Sequence, residues 1–82
     1  MRFSFTPEAK AHLRAIDRTA ALRILETIAR YGATGTGDVE PMHGEWQGSF
    51  RLRIGDFRAI FRPVADGLEI LTIGHRSSVY GQ

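Results

Sequence analysis

The chain contains no cysteine, which excludes disulfide staples, thiolate metal sites and cysteine nucleophiles. It has almost no lysine: Lys10 stands alone, and the other ten of its 11 basic residues are arginine. No apolar run approaches the roughly 18 residues that a membrane helix needs, so no membrane role is expected. The opening MRFSFTPEAK carries neither an apolar h-region nor a small-residue cleavage site, so no signal peptide is expected. With the missing cysteines, this fits a cytoplasmic address. No G-x-x-x-x-G-K-[ST] occurs, which removes the P-loop reading. The three histidines, His12, His43 and His75, lack zinc-ligand spacing, and neither a metal nor another cofactor is expected.

What is present describes a small folded unit. Residues 1–82 are one domain's worth of chain, and such a domain buries only about 60% of its unfolded surface. Hydrophobic residues make up 43% and charged residues 24%, which excludes a disordered chain. The net charge of +2 is too low for a protein that coats nucleic acid.

Residues 2–5 (RFSF) alternate and predict a short strand. Thr6-Pro7-Glu8 is a helix start, with Thr as N-cap, Pro at the first position and Glu in the first turn. Ala9, Leu13 and Ile16 continue as the stripe of an amphipathic helix. Asp17 can end this helix and cap the next, whose apolar face is read as Leu22, Leu25, Ile28 and Ala29, with Gly32 as C-cap. His12, one turn after Glu8, is expected on the surface. Residues 32–48 read as loop, long enough to hide a turn or a short added strand. From Ser49 the pattern changes to period two. SFRLRI and FRAIFRPV are separated by Gly55-Asp56, and Asp66-Gly67 leads into LEILTIGH. The order β-α-α-β-β-β makes a small single α+β domain, an αα-hairpin on one face of a mainly antiparallel sheet.

The main chemical signal lies in residues 49–62. If Gly55-Asp56 is a two-residue turn, Ile54 faces Phe57, Leu52 faces Ala59 and Phe50 faces Phe61 on one side of a ribbon. The other side then carries Ser49, Arg51, Arg53, Arg58, Ile60 and Arg62, with Arg53 directly across from Arg58. Like charges facing one another cost a few tenths to about 1 kcal/mol. No acid on the same face is expected to relieve them, since Asp56 sits in the turn. One or two such arginines are ordinary solvated residues. Four together point to an anion, because guanidinium binds phosphate bidentately and stacks on bases.

The chain ends IGHRSSVYGQ. FRLRIGDFRAIF, a turn, LEILTIGHR and then VY, with the approach loop Pro41–Gly48, resemble the RelE family of toxins from type II toxin–antitoxin systems over nearly the whole chain. The resemblance implies a microbial-RNase-like fold and a ribosome-dependent, metal-independent endoribonuclease. Such an enzyme cuts mRNA in the ribosomal A site by 2′-hydroxyl attack on the adjacent phosphate. By position it implies catalytic roles for Arg53, Arg58, Arg76 and Tyr80, and RNA or phosphate contacts for Arg51, Arg62 and Ser77. Arg51 and Arg53 stand where the family often has lysines. Guanidinium, with a pKa above about 12, is a poor general base. The base stays open among Tyr80, water or hydroxide, and the acid–base candidates His75 and His43, or catalysis is mainly electrostatic and positional. Alternation sets His75 opposite Arg76, where a structural role is expected. Ser77 and Ser78 lack a nucleophile-elbow context.

The resemblance also implies a cognate antitoxin, RelB-like or otherwise acidic-tailed, that folds on binding; small size and a focused basic face lead to the expectation of a monomeric free toxin. Trp46, Ile60 and Leu71 are the candidate antitoxin contacts, Ile60 and Leu71 as exposed apolar residues on the concave face. Two other readings stand beside the nuclease. One is a ParE-like DNA gyrase inhibitor without nuclease activity. The other is a basic sheet that binds RNA without catalysis.

Overall fold

Two short polar side chains set both helices in the computed structural model, which describes residues 1–77. Thr6 caps α1 (Pro7–Ala15): its hydroxyl accepts from the Ala9 N–H at 3.1 Å and donates to the Leu71 carbonyl at 2.7 Å. Asp17 caps α2 (Arg18–Thr34) by accepting from the Ala20 N–H at 3.2 Å. The strands are β1 (Arg2–Phe5), β2 (Asp38–Pro41), β3 (Phe50–Ile54), β4 (Phe57–Val64) and β5 (Gly67–His75), with a 3₁₀ turn at Gly44–Trp46. The sheet order is β1-β5-β4-β3-β2, with β1 parallel to β5 and the remaining pairs antiparallel.

The helices cover one face. Leu52, Ile54, Ala59, Phe61, Leu68, Ile70 and Ile73 from the sheet pack with Ala9, Ile24 and Ile28. Each fully buried large side chain contributes about 1.5–3 kcal/mol. Phe61 lies at the centre, with ring centroids 5.7 Å from Phe50 and 5.3 Å from Tyr31. The inward face of α2 differs from the expected stripe: Ile24 and Ile28, four residues apart, are buried, whereas Leu22 and Leu25 point outward.

Gly32 does not end α2. A Cβ there would lie 2.5 Å from Phe3 Cζ, so the glycine makes room for β1's aromatic ring inside the helix. The cap falls at Gly35, with φ 75° and its N–H donating to Tyr31 O at 2.8 Å. The stretch 32–48 is thus not plain loop. It completes α2, then supplies β2, whose Val39 turns toward the core beside Leu52.

The expected hairpin register is observed: Ile54↔Phe57, Leu52↔Ala59 and Phe50↔Phe61, with Arg53↔Arg58 on the other face. Between β4 and β5, Ile60 pairs with Thr72 but Phe61 pairs with Ile70, so Leu71 is the extra residue of a β-bulge.

His12 is not a plain surface residue. β1 pairing stops at Phe5↔Ile70, and α1 takes over the open edge of β5. There His12 Nδ1 accepts the Ile73 N–H at 3.4 Å and lies 3.2 Å from the Thr72 hydroxyl. Replacing it leaves a partly buried donor without its acceptor. His12→Ala is expected to lower stability by about 1–2 kcal/mol, measured as a reduced urea midpoint at unchanged m-value.

Candidate anion-binding site on the arginine face

Alternation along β3 and β4 turns Arg51, Arg53, Arg58 and Arg62 away from the helices. The neighbouring strands correct the expectation of an acid-free face. β2 places Glu40 opposite Arg51 and Asp38 opposite Arg53. Arg51 Nη2 contacts Glu40 Oε1, and Arg53 Nη1 lies 3.7 Å from Asp38 Oδ2. On the other side β5 brings Glu69 to Arg62, with Nε–Oε1 at 2.7 Å. Arg76, just past β5, has its Nε 3.7 Å from Asp56 Oδ1, and its backbone N–H donates to Asp56 O at 2.7 Å. Four of the five arginines therefore carry a carboxylate partner.

Arg58 is the exception among the described residues. The residue is half-buried, its guanidinium turns back over the hairpin tip, and Nη1 donates to Gly55 O at 2.9 Å and Phe57 O at 2.8 Å. Burial, and then the charges of Arg53, Arg51 and Arg76, pull its pKa below the ordinary value, while Asp38 pushes the other way. The cation is thus held where like charges surround it. An anion placed there relieves that repulsion and gains charge-assisted hydrogen bonds.

The face divides along its length. Arg53, Arg58 and Arg76 gather at the hairpin tip, with Arg51 one register step away. Arg62 lies four residues along β4 from Arg58, about 13 Å, and is occupied by Glu69. Ile60, between them, is not the exposed anchor that the sequence suggests: it is fully buried. Its register partners are Arg51 and Thr72 and its same-face strand neighbours are Arg58 and Arg62, whose long stems frame it. Leu71 is half-buried in the bulge, and Trp46 is half-buried in the 3₁₀ turn.

The two acid–base candidates lie in different places. His75 pairs with Phe57 on the helix-side register, ring edge to ring face at 5.7 Å. Its Nδ1 accepts from the Ser77 N–H at 3.2 Å and contacts the Ser77 hydroxyl at 2.8 Å, so the geometry ties both residues together. His43 is exposed and lines an open hollow of 490 Å³ with Glu40, Pro41, Met42 and Arg51, beside the arginine face. Tyr80 and Ser78 lie outside the described residues. Asp38, Glu40 and Glu69 are the site residues that sequence reading missed. The available signal was the alternation in Asp38-Val39-Glu40. Among the described residues no group of His, Asp and Glu is placed to hold a metal ion, and no helix is long and apolar enough to cross a membrane.

No curated protein matches the chain in sequence. Solved structures share its fold. A chain of the RelB–RelE antitoxin–toxin complex from Methanococcus jannaschii is 18% identical with a TM-score of 0.75, covering 94% of both chains. The YoeB/ParE toxin from Agrobacterium tumefaciens is 20% identical with a TM-score of 0.76, covering 92% of this chain and 98% of that one. A chain of the heterotetrameric YoeB–YefM toxin–antitoxin complex from Staphylococcus aureus is 18% identical with a TM-score of 0.73, covering 88% and 92%. A family model described as the ParE toxin of type II toxin–antitoxin systems, parDE, matches residues 3–80. With nearly its whole length matched, the chain belongs to this family of type II toxin–antitoxin toxins.

Proposed function

We propose that the protein is a ribosome-dependent endoribonuclease that cuts mRNA in the A site and is neutralised by a cognate antitoxin. The observation that carries this reading is Arg58: a cation without a carboxylate partner among the described residues, flanked by Arg53 and Arg76. A phosphodiester entering there meets three guanidinium groups. The 2′-oxygen forms a bond to phosphorus as the bond from phosphorus to the 5′-oxygen breaks. Charge building on the phosphoryl oxygens is what Arg58, with Arg53 and Arg76, stabilises. The 2′-hydroxyl proton goes to a base and the 5′-oxygen takes one from an acid. His43, on the hollow shared with Arg51, is one candidate for that exchange, and Tyr80 is the second. Arg51 and Arg62 guide the flanking backbone, and Ser77 contacts RNA. The antitoxin supplies a segment of acidic and apolar residues that displaces the carboxylates and covers the same face.

A second reading is favoured by one observation. Four of the five arginines are already ion-paired, as on a protein-docking surface, which fits a gyrase inhibitor without nuclease activity. Primer extension on mRNA in a purified translation system separates the two. The nuclease reading expects cuts within codons that need ribosomes. Uncut mRNA together with inhibited gyrase supercoiling would favour the second.

A further inference from the structure

We infer that Asp38 and Glu40 are built-in competitors for phosphate, residues that hold down the face's affinity for free RNA and so reserve it for RNA presented in position. The inference rests on reading the arginine face as a phosphate site. β2 is a four-residue edge strand with one inward residue, Val39, which packs against the core. Of its three other residues, the two that flank Val39 are acidic, and the register sets each against an arginine of β3: Asp38↔Arg53 and Glu40↔Arg51. A carboxylate engages guanidinium with the same planar pair of oxygens that a phosphate offers. RNA therefore competes with Asp38 for Arg53 and with Glu40 for Arg51, each acid already drawing one guanidinium nitrogen toward itself.

Stability does not account for the arrangement. Asp38 and Glu40 are about three-fifths exposed, at 59% and 62%; of their partners Arg53 is exposed to 58% and Arg51 to 32%. Exposed pairs of this kind add little to folding. Asp38 acts beyond its own partner, since its charge also offsets the repulsion at Arg58. The two acids thus tune the whole hairpin-tip cluster. Neither touches the reacting atoms in this account; they act through the arginines.

The test uses the full chain and a short fluorescein-labelled single-stranded RNA, without ribosomes, over a range of salt. Each arginine released from its acid adds about one phosphate contact, and a single-strand contact steepens the slope of log K against log salt by about 0.7. Asp38→Asn/Glu40→Gln is therefore expected to steepen that slope by about 1.4 and to tighten binding roughly 25-fold at 0.1 M salt. The control is Glu8→Gln/Glu26→Gln. It makes the same change in net charge on exposed helix positions, and its slope is expected to stay at the wild-type value. A double variant at the β2 acids that binds no more tightly than this control overturns the inference. Cleavage on ribosomes is scored separately. Tighter binding without any wild-type cleavage sustains the gating role and defeats the nuclease reading. Wild-type cleavage with unchanged binding in the β2 variant does the reverse.

Discussion

Arg58→Gln is expected to fold at least as well as the wild type and to lose activity by about 10²–10³-fold, the cost of deleting one preorganised donor at a developing anion. Glutamine keeps most of the stem that frames Ile60 but ends two bonds short of Nη1, so water replaces it as donor to Gly55 O and Phe57 O, a small cost at this solvent-facing tip. It removes the charge that faces Arg53 across the hairpin. That repulsion is about 0.2–1 kcal/mol, so the melting temperature should hold or rise slightly. In cells, induction of the variant should no longer arrest growth, while antitoxin binding persists through the rest of the surface. A variant that arrests growth as strongly as wild type would remove Arg58 from the site. A variant that fails to fold would instead assign it a structural role.

Gly67→Ala is expected to produce the largest loss of stability of any single methyl group added to this chain. A Cβ at Gly67 would lie 1.8 Å from Arg2 O, 2.6 Å from Arg2 C and 2.7 Å from Arg2 N. These are backbone atoms, so no side chain can swing aside. β1 must move off β5, straining the Arg2 N–H to Asp66 O bond of 2.9 Å and the Phe3 and Phe5 packing that β1 delivers. Overpacking and weakened ladder bonds together cost about 2–4 kcal/mol. Set against roughly 4–12 kcal/mol for a domain of this size, that is a large share of the whole. Gly44→Ala is the comparison. Its φ is 68° with nothing near a new Cβ, so only left-handed strain of about 1–2 kcal/mol applies. Urea midpoints that fall equally for the two variants would mean that β1 yields freely at Gly67.

Local chemistry made much of this fold legible. Thr6 and Asp17 are short acceptors in front of amphipathic runs, and both cap as such residues do. Gly55-Asp56 fixes the hairpin register, and register alone puts Arg53 across from Arg58. What stayed hidden depends on contacts distant in sequence. Gly32 looks like a cap until Phe3 is seen to need its space. β2 has only four residues, including an edge proline, and its period-two signal is too short to separate from loop. The sequence therefore shows the arginines without the acids that answer them. The bulge at Leu71 has no local signature, and neither do the burial of Ile60 nor the anchoring of His12 on β5. Each follows from neighbouring strands or helices rather than from nearby residues.

The most direct test compares two arginines on one strand. Cleavage of mRNA on programmed ribosomes should fall by at least about a hundredfold in Arg58→Gln. In Arg62→Gln it should change by no more than a few-fold, because Arg62 lies some 13 Å along β4 from Arg58 and guides only flanking backbone, away from the reacting phosphate. Equal losses in the two variants, or no loss in Arg58→Gln, would contradict the account that Arg58, without a carboxylate partner among the described residues, holds the scissile phosphate at the hairpin tip.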